Sequence, residues 1–221
     1  REVPAFSSLS LSGSGKLRLK KGDFKVLVIT DSNIQSSILT EVRGETLHIG
    51  AKPGALPLWP TELEYEVSLP NLDGISVSGS AEVVSEAFSG PDIDFNISGS
   101  GSISGGFSYA KAKVGISGSG SLDVEASFGS LDCRLSGSGR AKFSGSTSDL
   151  VAEISGSGSL DGRALSADRV RVGASGSGAV EIHAKESLEA RMSGSGSLRY
   201  WGNPKVDARA SGSGRIERIE D

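Results

Sequence analysis

The chain has 221 residues, 41 of them serine and 31 glycine, so a third of it is built from two residues that normally mark a disordered linker. Its formal charge of −4 and pI near 5.3 argue against nucleic acid as a partner, because such binders carry a basic face. No apolar run approaches the roughly 18 residues that a membrane-spanning helix needs. The chain opens at Arg1 and its single methionine is Met192, so a native start with a signal peptide or lipoprotein anchor is expected to precede it.

Residues 6–19 carry a first Ser-Gly-Ser-Gly, starting at Ser12 and flanked by Leu9, Leu11 and Leu17. Alternating apolar and polar stretches follow at Phe24–Thr30, Ile38–Val42, Thr46–Ala51 and Leu63–Leu69, with Gly44-Glu45 as a tight turn between two of them. Pro53, Pro57, Pro60 and Pro70 punctuate the rest. Residues 1–72 are therefore expected to hold the first motif copy and a β-hairpin region that caps one end of a repeat.

Residues 73–221 are that repeat. Ser-Gly-Ser-Gly recurs from Ser98, Ser117, Ser136, Ser155, Ser175, Ser193 and Ser211, and a variant with Ala81 as its last residue starts at Ser78. The steps are 20, 19, 19, 19, 20, 18 and 18 residues, the period of a solenoid. The residue before each motif is apolar (Leu11, Val77, Ile97, Ile116, Leu135, Ile154, Ala174, Met192, Ala210). So is the residue five after the first serine, from Leu17 and Val83 to Leu198 and Ile216. The columns between are polar or mixed, which is the period of two of a half-buried strand. A flexible Gly-Ser linker would show no such columns.

Midway turn signals such as Ser89-Gly90-Pro91-Asp92, Ser104-Gly105-Gly106 and Phe128-Gly129-Ser130 make each unit one coil of strand, turn, strand, turn. The predicted fold is all-β: a right-handed parallel β-solenoid of about 18–20 residues per coil, in one domain spanning 1–221. The motif glycines admit two readings. Either they face inward and leave room for Phe107, Phe128 or Leu165, or they mark a corner with positive φ.

The segment Arg1-Glu2-Val3-Pro4-Ala5-Phe6-Ser7-Ser8-Leu9-Ser10-Leu11-Ser12-Gly13-Ser14-Gly15 resembles the start of the head GIN domain family. Asp31-Ser32-Asn33-Ile34, Leu39-Thr40-Glu41-Val42, Gly44-Glu45-Thr46-Leu47-His48-Ile49 and Pro70-Asn71-Leu72-Asp73-Gly74-Ile75-Ser76-Val77-Ser78-Gly79-Ser80 are similar to its later blocks. The resemblance covers essentially the whole chain; the family is labelled an auto-transporter adhesin and is otherwise a domain of unknown function. It implies a bacterial protein typical of Bacteroidetes, secreted, periplasmic or on the outer cell surface. It carries no catalytic residues.

The residues themselves offer little chemistry. No Gly-x-Ser-x-Gly elbow occurs, and His48 and His183 sit in alternating stretches that point them outward. Cys133 stands alone, which excludes an internal disulfide and a thiolate metal site and suits a small buried residue. No cofactor or metal is expected. The column six after the first serine mixes Asp123 and Asp161 with Lys142 and Arg199, which suits charge pairs across strands better than a calcium ladder.

Three functions remain open. The leading one is a non-enzymatic adhesin or scaffold module, whose recognition face is the outward second-serine row Ser100, Ser119, Ser138, Ser157, Ser177 and Ser195. Eight rungs from Ser78 to Ser211 would span roughly 35 Å and offer hydroxyls to a glycan or a host or cell-surface protein. The second is a polysaccharide-acting enzyme with Asp92 and Asp94, or Asp123 and Asp161, about 5–7 Å apart. In that reading Trp59, Tyr200 and Trp201 stack on sugar; otherwise they pack at the solenoid ends. The third is self-association into a homo-oligomer through the serine faces or the solenoid ends.

Overall fold

A period of 18–20 residues sets each Ser-Gly-Ser-Gly on top of the one before, and the computed structural model, which describes residues 3–54 and 62–220, shows that stacking. The strands are β1 (Ser8–Gly13), β2 (Lys16–Lys21), β3 (Lys25–Thr30), β4 (Ile38–Arg43), β5 (Thr46–Ala51), β6 (Leu63–Leu69), β7 (Gly74–Gly79) and β8 (Glu82–Gly99). They continue with β9 (Ser102–Gly118), β10 (Ser121–Gly137), β11 (Arg140–Gly156), β12 (Ser159–Gly176), β13 (Ala179–Gly194), β14 (Ser197–Trp201), β15 (Lys205–Gly212) and β16 (Arg215–Arg218). Among the described residues there is no α-helix, only a short 3-10 turn at Gln35–Ser37. From β7 onward every pairing is parallel, which makes the fold the parallel β-solenoid that the period predicts.

One hydrophobic core runs along the stack. The column before the motif is buried from Leu11 through Met192, and so is the column five after the first serine, from Leu17 through Leu198. Where the latter narrows to Ala141, Phe143 two residues on is buried beside it and fills the space.

The motif is the sharp corner of each coil, and its two glycines do different jobs. The first takes positive φ in every copy, for example +110° at Gly99, +105° at Gly118 and +99° at Gly137. It is exposed, and it lies so close to the corner below that a Cβ on Gly137 would stand 2.8 Å from the Gly118 carbonyl oxygen. The second glycine faces inward: a Cβ on Gly120 would stand 2.4 Å from Ile97 Cγ2. Each reading thus holds in part: the first glycine marks the corner with positive φ and the second faces inward, but the side chains that use its space are not Phe107, Phe128 or Leu165. The neighbour that needs the inward space is the apolar residue before the preceding motif. Hydrogen bonds staple the corners together, as when the Ser119 N–H donates to Gly99 O at 2.8 Å and the Ser121 N–H to Gly101 O at 2.9 Å.

The midway signals are gentler than expected. Pairing runs through Gly105, Gly106 and the residues around Gly129 within single strands of 16–18 residues, so they bend the strand without interrupting it. Unequal repeat lengths are absorbed before the run into the motif. The β8–β9 register shifts between Ser85 and Phe88, the β11–β12 register between Lys142 and Ser144, and the β12–β13 register between Gly162 and Ser166 and again between Ala167 and Arg169. The side of the coil leading into the motif therefore keeps its rungs aligned.

The N-terminal region departs most from expectation. β4 and β5 form the antiparallel hairpin around Gly44-Glu45, with Gly44 at φ +59°. But β1 lies between β5 and β7, parallel to both, and β2 lies between β6 and β8, again parallel to both. The first segment of the chain is thus an inner coil, with β5 and β6 lying outside it. The antiparallel strands β3 and β4 close that end. Pro57, Pro60 and Trp59 lie outside the described residues.

Candidate binding surface

Because the run into the motif keeps its register, its outward side chains form straight columns. The first serines stack rung by rung: Ser98 beside Ser117, Ser136, Ser155 and Ser175. These five are exposed, and among the described residues their hydroxyls make no hydrogen bond within the chain. Only the outer copies differ: the Ser12 hydroxyl donates to Ile49 O at 3.3 Å and the Ser211 hydroxyl to Met192 O at 3.4 Å. The column two residues earlier reads Asn96, Gly115, Arg134, Glu153, Gly173 and Arg191. Serine and glycine take little room, so the surface sinks between the longer side chains. The result is a hollow of about 820 Å³ that runs along the coils from Ser78 to Ser175.

The second serines, Ser100, Ser119, Ser138, Ser157, Ser177 and Ser195, are exposed on the corner itself, just outside the lining of that hollow. Sequence reasoning singled out this row and passed over the column two before the motif. The signal was present as Gly115 and Gly173, two glycines in an otherwise long-chained column and in no turn. A Cβ on Gly173 would meet nothing within 4 Å, so packing does not require that glycine.

The remaining candidates are scattered. In the charged column, Lys142 lies between Asp123 and Asp161 in register, with its Nζ 3.0 Å from Asp123 Oδ2. Asp123 and Asp161 are therefore two rungs apart, about 10 Å, rather than the 5–7 Å expected for a carboxylate pair. Asp92 and Asp94 share a face but stand opposite Lys111 and Lys113. His183 is half-buried beside Trp201, and Tyr200 packs against the core. Cys133 is fully buried, and burial pushes its thiol up to about 12. No group of three potential metal ligands occurs among the described residues. Nor is any helix among them long and apolar enough to cross a membrane.

A family model described as "Putative auto-transporter adhesin, head GIN domain" matches residues 5–204. The chain belongs to the head GIN domain family. No curated protein matches it. Solved structures share this fold, among them three from Parabacteroides. One is called "Putative lipid binding protein from Parabacteroides distasonis"; it has a TM-score of 0.94 and 24% identity, and covers 99% of this chain and 94% of that one. A second is a "putative adhesin from Parabacteroides distasonis", with a TM-score of 0.92, 23% identity and coverage of 98% and 94%. The third is a "putative adhesin from Parabacteroides merdae", with a TM-score of 0.93, 20% identity and coverage of 98% and 93%. The superpositions show a shared fold, and at identities this low they show the fold alone.

In this head GIN domain the outer faces are laced with ion pairs. Arg134 reaches Asp132 at 2.9 Å and Glu153 at 3.2 Å, and Arg169 reaches Asp149 at 2.7 Å. Glu189 accepts from both Arg171 and Arg191. Hydrogen bonds from these guanidinium groups, and the charge behind them, hold Asp149 and Glu189 below the usual carboxylate range; Arg163 does the same to Asp161. A carboxylate whose pKa is lower folded than unfolded stabilises the fold above its unfolded pKa of about 4, and that contribution is lost as pH falls through the folded value. Thermal melts should therefore show a flat Tm from neutral pH down to about pH 5 and a decline below about pH 4. Asp149→Asn should make that decline shallower while barely moving Tm at neutral pH, because exposed pairs contribute little.

Proposed function

We propose that this chain is a non-enzymatic adhesion module of the bacterial cell envelope, secreted or held at the outer surface. It would grip an extended glycan, or an extended segment of a cell-surface protein, along the serine-lined hollow. The observation that carries this reading is the line of unpartnered serine hydroxyls, repeated at about 4.8 Å on a rigid parallel sheet. Such a line offers equivalent donors and acceptors to a ligand that itself repeats. Arg134, Glu153, Arg191 and Asn96 along the same hollow add directional polar contacts. The second-serine row from Ser100 to Ser195 flanks it and extends the face. Preorganised groups on a regular scaffold bind with little ordering cost. The family description and the names of two of the structural neighbours point the same way.

The test is binding of the purified chain to arrays of glycans and cell-surface proteins. It should be compared with two triple variants, Ser117→Lys/Ser136→Lys/Ser155→Lys in the first row and Ser119→Lys/Ser138→Lys/Ser157→Lys in the second. All six serines are exposed and their side chains hold nothing together, so both variants should fold. The first-row variant should lose at least tenfold in affinity, because its lysines fill the hollow; the second-row variant should lose less. Equal binding by all three proteins overturns the reading. Binding to phospholipid vesicles in place of the arrays would favour the activity named for the first Parabacteroides distasonis protein.

A further inference from the structure

The two ends of the solenoid are finished differently. At the N-terminal end the antiparallel strands β3 and β4 close the stack. At the other end the short strand β16 covers β14, with Ile216 half-buried over Leu198, but the core columns above β13 run out into solvent. Leu188 is 1% exposed, whereas Val206, its partner one rung on, is 46% exposed. Ala208 is only half-buried and Ala210 is exposed, although both stand in the columns that are buried everywhere below them. β15 pairs with β13 along one edge, and among the described residues no strand lies along the other. An eight-residue edge with apolar side chains beside it is a template for another strand.

We propose that the occupant is a second copy of this chain, docked tail to tail so that the two β15 strands pair antiparallel about a two-fold axis at Ala208. The charges select both partner and register. With the axis at Ala208, Asp207 faces Arg209 of the second copy, and the same contact forms again by symmetry. Val206 then faces Ala210, Ala208 faces Ala208, and Lys205 faces Ser211. Moving the axis to Asp207 sets Asp207 against Asp207 and Lys205 against Arg209. Moving it to Arg209 sets Arg209 against itself. Like charges directly opposite are destabilising, so both shifts are disfavoured. Within one chain the pair is loose, with Arg209 Nε 4.0 Å from Asp207 Oδ1 and side chains 79% and 67% exposed, so both groups are free to turn outward. A two-fold contact closes on itself, which yields a dimer and no fibre. One strand edge buries less than the roughly 1,600 Å² of a standard interface, so the dimer is reversible.

Sedimentation equilibrium of the whole chain tests this, with Asp207→Arg, Arg209→Asp and the double swap Asp207→Arg/Arg209→Asp beside it. The native chain should show a concentration-dependent monomer–dimer equilibrium. Each single reversal should weaken it at least tenfold, and the double swap should restore it. Circular dichroism melts should show all four proteins folded alike. A native chain that stays monomeric at the highest concentration reached overturns the proposal. So do single reversals that leave the dimer intact, or species that grow beyond two copies, which would mean head-to-tail stacking.

Discussion

Gly137→Ala is expected to destabilise the protein by about 3 kcal/mol or more, because it combines two costs that other glycines separate. Gly137 has φ +99°, and a Cβ there would stand 2.8 Å from the carbonyl oxygen of Gly118. Gly13 has φ +96° but nothing within 4 Å of its would-be Cβ, so Gly13→Ala reports the backbone term alone, about 1–2 kcal/mol. Gly173 has neither problem, and alanine there should change stability by less than about 1 kcal/mol, in either direction. Urea unfolding of the three variants measures the series. If all three behave alike, the corner does not depend on close stacking of backbone on backbone.

Phe95→Ala is the second large loss, about 3–5 kcal/mol. The ring is 1% exposed and meets Phe107 of the next coil edge-on, with centroids 4.8 Å apart and planes at 74°. Truncation opens a cavity and removes an aromatic pair that links β8 to β9. Phe24→Ala is the contrast, since that ring is 42% exposed beside Phe6, and its loss should cost about 1 kcal/mol. In a stack where each coil touches only its neighbours, the Phe95 cavity weakens one junction, so broadened unfolding would accompany the lower midpoint. An unchanged urea midpoint would mean that the ring is not packed as described.

The stacking was legible in the sequence because a solenoid repeats its environment. Each column samples one position nine times, so Leu11, Val77, Ile97 and their successors declare a buried site that no single copy could. The early strands were legible within a residue or so, and the Gly44-Glu45 turn was correct. Three things were hidden, each for a physical reason. The division of labour between Gly118 and Gly120 depends on which backbone atom lies underneath, and a period of two does not encode that distance. The insertion of β1 between β5 and β7 pairs segments some 38 to 66 residues apart without a local signature. The hollow depends on contrasts between neighbouring coils, Gly115 beside Arg134 and Gly173 beside Arg191, which reading along the chain passes over.

That insertion gives the molecule a direction in time. In the order of synthesis, β1 and β2 have no permanent neighbours until β5 and β6, and then β7 and β8, arrive on either side of them. Everything after Gly79 has a simpler task, because each new coil finds a finished surface waiting and adds to it by local hydrogen bonding. Assembly of that three-layer seed is therefore expected to be the slow event, because it closes contacts between distant segments before any later coil can add to it. Deletion of Ser8–Gly13 would remove a middle layer of that seed. Loss of as many from the back only shortens the last turn.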